Sequence, residues 1–259
     1  METTTVNNRR LNMKIANVWA LACAAVLGFM AGSVLAVDNT GTGGVIMYTD
    51  ANGSNAVANP PYIGGYVIHT FTNSGTLNIP LAASADVLVV AGGGAGGAHS
   101  GGGGGAGGVI YSNAFPVVAD SNYTVSVGTG GVAKAYSGSF TPSNGGSSSF
   151  GTLSVLGGGG GAGRDYGPVG ATGGSGGGGS SDKGPGNGTA GQGSNGASGY
   201  QIDPNYCGGG GGGKGSTGSA GTAAGGGNGG TGAQYTQFAV AGSPAGWFGG
   251  GGGGGTPAC

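Results

Sequence analysis

Val87-Leu88-Val89-Val90-Ala91-Gly92-Gly93-Gly94-Ala95-Gly96-Gly97-Ala98-His99-Ser100-Gly101-Gly102-Gly103-Gly104-Gly105-Ala106-Gly107-Gly108 is the stretch that decides the fold. Its first four residues are continuously apolar, as in a strand covered on both faces. The rest has almost no side chains. Ordering one residue costs about 1–2 kcal/mol of backbone entropy, and glycine about 0.5–1 kcal/mol more. Little apolar surface is present to offset that. Two outcomes are physically sensible: a flexible linker, or an ordered segment whose every N–H and C=O finds a partner in a neighbour. Further blocks at 157–163, 173–179, 208–215, 225–232 and 249–255 are similar in length, and Arg164, Tyr166, Tyr206 and Trp247, residues foreign to linkers, interrupt them. The ordered outcome is therefore expected. An extended left-handed helix with three residues per turn points its amides outward, and only glycine lets neighbours approach it on every side. Collagen is excluded, because glycine comes in runs rather than at every third position and the chain has 10 Pro.

Of 259 residues 73 are glycine, 9 of them before Ala91 and 64 from Gly92 to Gly255. Charged residues make up 6 %, against roughly 25 % in ordinary soluble domains. The net charge of −1 leaves no basic surface for nucleic-acid phosphates. The acids Asp38, Asp50, Asp86, Asp120, Asp165, Asp182 and Asp203 show no spacing that pairs two carboxylates. No enzyme activity, cofactor or metal is expected. His69 lies in a strand-like word and is expected to be a partly exposed sheet residue. His99 lies between glycine blocks, with a solvent-exposed loop position as one reading and a ligand contact as the other. Arg164-Asp165 and Asp182-Lys183 read as local surface ion pairs.

Two nucleotide-like motifs fail on context. Gly92–Gly97 satisfies G-x-G-x-x-G after a strand, but no helix can start in the glycines that follow. Gly208 to Lys214 gives G-x-x-x-x-G-K, but Gly215 stands where the magnesium-binding hydroxyl belongs and no strand precedes. No nucleotide is expected.

The N-terminus reads as a targeting segment. Val18 to Ala36 is an uncharged apolar run preceded by Arg9, Arg10 and Lys14, and Val34-Leu35-Ala36 places cleavage before Val37. Either Met1 or Met13 serves as the start. Arg9-Arg10 has some twin-arginine character, and a retained anchor is the alternative, since 19 apolar residues just suffice to span a bilayer. Cleavage would leave Cys207 and Cys259 as the remaining cysteines, a candidate disulfide in an oxidising compartment. The domain reading is thus a signal peptide over 1–36, an N-terminal β segment over 37–63 and a glycine-rich domain over 64–259.

Outside the blocks the sequence is β-like. Val45–Tyr48, Val67–Thr72, Thr76–Ile79, Val87–Val90, Val109–Ser112, Tyr123–Val127, Ser148–Phe150, Leu153–Leu156 and Gln234–Val240 read as strands, and no window has a helical period. The fold expected is all-β: a jelly-roll-like β-sandwich whose insertions pack as a polyglycine II helix bundle.

The words Tyr66–Leu77, Val87–Gly97, Gly101–Tyr111, Tyr123–Gly128 and Phe150–Gly160 together resemble the glycine-rich domain of bacteriophage and bacterial surface proteins. More loosely the chain looks like the tail-tip adhesins of T-even-type phages and the glycine-rich module of the anaplastic lymphoma kinase receptor. The resemblance implies a β-sandwich carrying packed polyglycine helices, with recognition by loops at the bundle ends. A signal peptide departs from the phage case and favours a bacterial secreted or cell-surface protein over a tail-tip adhesin. Tyr200, Ile202, Tyr206, Trp247 and Phe248, with Arg164 and Tyr166, are the residues expected to bind, because aromatic and arginine side chains anchor interfaces. The expected function is non-enzymatic adhesion to a surface glycan or protein. The alternative is a structural, self-associating matrix or surface-layer component.

Overall fold

A computed structural model of the chain describes residues 25–30, 41–50, 65–133, 142–165, 167–242 and 244–256. The fold is all-β, with no α-helix among the described residues. In chain order the frame strands are β1 (Ala25–Met30), β2 (Val45–Thr49), β3 (Tyr66–Phe71), β4 (Gly75–Ile79), β5 (Ala83–Val90), β6 (Val109–Val117), β7 (Ser121–Ser126), β8 (Ser148–Phe150) and β9 (Leu153–Val155). They form two sheets, ordered β2-β3-β1-β5-β6 and β4-β7-β8-β9. Every neighbouring pair is antiparallel. Val67, Ile68, Phe71, Val87 and Val89 of the first sheet share one core with Leu77, Ile79, Val125, Phe150 and Val155 of the second. Phe150 is its centre, 5.3 Å from the Tyr123 ring and 5.2 Å from Phe115.

The strand words at Val67–Thr72, Val87–Val90 and Tyr123–Val127 fall in β3, β5 and β7. Two details differ from expectation. His69 lies in β3 but is fully buried, and its Nδ1–H donates to the Gly43 carbonyl at 2.7 Å. The cause is that β3 is an interior strand, and Gly43, at φ +116°, lies so close to the chain that a Cβ there would sit 2.1 Å from Thr76 O. Gln234–Val240 is not one strand: it opens in β12 (Ala233–Gln234) and continues as a 3₁₀ turn, Thr236–Phe238. A strand would send Tyr235 and Phe238 to opposite faces, whereas a 3₁₀ turn eclipses positions three apart. Both rings thereby meet Tyr111, at 5.7 and 6.0 Å. Ala25–Met30, within the N-terminal apolar run, is β1, paired with β3 over six residues and with β5 over four.

The glycine blocks grow directly out of the first sheet, since β5 runs on into residues 91–97 and residues 101–108 run into β6. Residues 101–108 are the axis of the arrangement. Gly102, Gly105 and Gly108 donate to Ala162, Gly159 and Leu156 at 2.8 Å, and accept from Gly97, Gly94 and Ala91. Gly103 and Ala106 donate to Gly209 and Gly212 and accept from Gly178 and Ser175. Gly101 and Gly104 accept from Gly255 and Gly252. Each direction of bonding therefore repeats every third residue. Five extended segments surround the axis so closely that at most of its glycines a side chain would collide with backbone: a Cβ on Gly102 would lie 1.9 Å from Gly178 O.

Candidate functional site

Among the described residues, the end of the bundle remote from the sheets is built from five turns, at 98–100, 164–165, 180–183, 199–207 and 222–225. Their placement follows from parity. Seven extended residues at roughly 3.1 Å per residue span about 22 Å, so each block crosses the bundle once. Interruptions then alternate between the frame end and the far end. The bonding shows this: Gly108 and Gly174 reach the level of Leu156 and Gly157, beside the frame, while Gly102, Gly178 and Gly209 reach that of Ala162 at the far end.

At the far end β10 (Tyr200–Ile202) and β11 (Asn205–Cys207) form a hairpin. Tyr206 presents its ring to Arg164, whose guanidinium carbon lies 3.8 Å from the ring centroid, a cation–π contact worth about 0.5–1 kcal/mol when exposed. Tyr206 Oη donates to Asp203 Oδ1 at 3.2 Å. Arg164 Nε lies 3.5 Å from Asp165 Oδ1, and His99 Nδ1 lies 3.1 Å from Asp165 Oδ2. Five polar and aromatic side chains from three turns, His99–Asp165–Arg164–Tyr206–Asp203, thus form one continuous chain across the tip. His99 and Asp165 hold φ of +53° and +63°, which commits their backbones to tight turns and their side chains outward. Next to them, the Ser100 and Ser181 hydroxyls are buried with no hydrogen-bond partner. In the adjoining turn Asp182 contacts Lys183 at 3.0 Å. Partial burial raises the Asp182 pKa, but the Ser180 hydroxyl and Lys183 outweigh it and hold the carboxyl below its usual range.

The sequence candidates divide between the two ends. Tyr200, Ile202, Tyr206 and Arg164 share the far end, with Ile202 exposed. Trp247 and Phe248 lie at the frame end as β13, paired with β12, and Phe248 is buried against Tyr235 at 6.2 Å. Tyr166 lies outside the described residues. Cys207 is a buried free thiol at the far end, and Cys259 lies outside the described residues. Sequence reasoning misses Asp203 as a site residue, weighs His99 alone and pairs Asp165 only with Arg164. Counting blocks as bundle crossings would have grouped all three.

Two other places were open to chemistry. The six N–H groups of Gly208–Gly213 all donate to neighbouring segments, which leaves none to cradle a phosphate. A mainly apolar 600 Å³ cleft on the bundle flank is lined by Pro142, Asn144, Pro168, Val169 and Thr172. The Asn144 side-chain amide there is fully engaged, accepting from Gly160 N and donating to Thr172 O. Among the described residues no three His, Cys, Asp or Glu side chains converge as metal ligands.

A two-sheet β-frame that carries a laterally bonded glycine bundle and displays its side chains at the tip defines a glycine-rich β-protein. The chain belongs to the glycine-rich domain family, which matches residues 70–258. No curated protein and no solved structure matches it.

Proposed function

We propose that this chain is an exported, non-enzymatic recognition protein. Its glycine segments form a polyglycine II bundle that acts as a stiff mount, and its far-end turns bind a surface glycan or protein. The observation that carries this reading is the convergence of Arg164, Tyr206, Asp203, Asp165 and His99 from three turns onto one exposed tip. Most backbone groups inside the bundle are bonded to neighbouring segments, so side chains in the turns are the chemically distinctive surface of its far end. Tyrosine and arginine are the types that anchor interfaces. Trp247 and Phe248 belong to the mount rather than to this surface.

Export by cleavage before Val37 would remove β1, so the reading entails that the frame survives the loss of that strand. The test is a glycan-array and cell-binding assay of the exported chain against an Arg164→Ala/Tyr206→Ala variant, with Trp247→Ala as the frame-end control. Loss of binding in the first and retention in the second is expected. Equal binding by the first variant, at unchanged fold, refutes the tip as the recognition surface.

A further inference from the structure

The axial segment 101–108 has room for six neighbours, and among the described residues it has five. Around it, in order, stand 91–97, 156–162, 175–178, 208–212 and 249–255, each bonded to the next except the last to the first. Toward these neighbours the axis alternately accepts and donates: it accepts from 91–97, donates to 156–162, accepts from 175–178, donates to 208–212 and accepts from 249–255. The alternation requires a donor direction in the sixth position. By the threefold repeat those donors are the N–H groups of Gly101, Gly104 and Gly107. All three residues are buried, and none of these N–H groups donates to any described group. A buried N–H without a partner costs about 1–3 kcal/mol, so this is a place where the fold asks for an acceptor.

The walls of the groove are open in the same sense. Gly93 and Gly96 on one rim and Gly250 and Gly253 on the other are exposed, and their N–H groups donate to no described group. A Cβ on Gly93 or Gly96 would meet nothing nearer than 3.8 or 3.9 Å, both carbonyls of the axial segment. The groove is thus a missing seventh segment, and its floor and rims dictate an occupant that is extended, side-chain-poor and rich in free backbone groups.

We propose that the occupant is the Gly249–Gly255 ridge of a second copy of this chain. The ridge has N–H groups at Gly250 and Gly253, and carbonyls at Gly250, Gly251, Gly253 and Gly254, that pair with no described group. It has no side chain to exclude it and no charge to repel its copy. Because the ridge borders the groove, a twofold axis between them seats each copy's ridge in the other's groove, an isologous contact. This association is independent of what the tip binds.

Sedimentation velocity of the purified chain over a concentration series tests it, together with amide exchange at Gly101, Gly104 and Gly107. A reversible dimer is expected, with those three amides protected only at concentrations where it forms. Gly96→Leu and Gly93→Leu place a side chain on the rim where a Cβ meets no atom nearer than 3.8 Å, and each is expected to weaken dimerisation by about tenfold or more with no loss of the monomer's thermal stability. A chain that stays monomeric throughout, or leucine variants that dimerise like the parent, overturns the proposal. Should a leucine variant fail to fold, the concentration dependence of the three amides decides by itself.

Discussion

Gly253 and Gly254 are adjacent members of an unbroken run of glycines, yet alanine at the two positions should have opposite effects. At Gly253 a new Cβ would meet only Gly227 O, at 3.7 Å, an ordinary contact. The methyl group fits, and the unfolded chain loses freedom, which stabilises by about 0.4–1 kcal/mol. At Gly254 the Cβ would sit 2.1 Å from Gly208 O and 2.4 Å from Gly208 C. Gly208 must move, and it both donates to Gly255 and accepts from Gly227. Two lateral bonds at about 0.5–1.5 kcal/mol each, with overpacking strain of about 1–3 kcal/mol, give a loss of about 4 kcal/mol. For a chain of this size that lowers the unfolding midpoint by about 8–16 °C. Gly102→Ala, at the axis and 1.9 Å from Gly178 O, should cost at least as much. Calorimetry or circular dichroism melts of the three variants supply the measurement. Equal shifts for Gly253→Ala and Gly254→Ala would refute the lateral packing, because a flexible linker treats the two positions alike.

Phe150→Ala removes a fully buried ring from between Phe115 and Tyr123 and should cost about 3–5 kcal/mol in denaturant unfolding. Tyr111 is half-buried, and burial together with the Asp86 carboxylate that its hydroxyl bonds at 3.1 Å pushes its pKa up to about 12. Because the folded value lies above the unfolded one, stability is unaffected below about pH 10 and falls as pH rises from there toward 12. Tyr111→Phe should flatten that part of an alkaline unfolding profile. A chain beginning at Val37 lacks β1, so amide exchange at β3 and β5, which flank that strand, should quicken while the amides of Gly102, Gly105 and Gly108 stay protected. Unprotected glycine amides in that chain would show that the bundle depends on the frame's middle strand.

The frame was legible in the sequence wherever a strand word carried its own signal. Val87–Val90 is continuously apolar because it is covered on both faces, and β3 and β7 follow from β-branched and aromatic runs closed by turn residues. Burial at His69 was not legible, since it depends on the Gly43 loop folding back over β3 from 26 residues away. Trp247 and Tyr206 look equivalent in sequence, as large side chains between glycine blocks. They lie at opposite ends because an odd or even number of bundle crossings separates each from the frame.

The sequence by itself determined that the chain is all-β, that its glycine is too abundant and too regularly blocked for a linker, and that its few side chains lie in the interruptions. These are properties of composition and order, and they survive any arrangement of the segments. Only the tertiary structure decided which glycines are indispensable, which turns share an end, and on which side of the axial segment no described segment packs. Glycine carries no side chain to record its surroundings, so every residue of a run reads the same along the chain. What separates Gly253 from Gly254, or Gly104 from Gly105, is the direction in which each N–H points, and that is fixed by the threefold turn of the segment and by the neighbours packed around it.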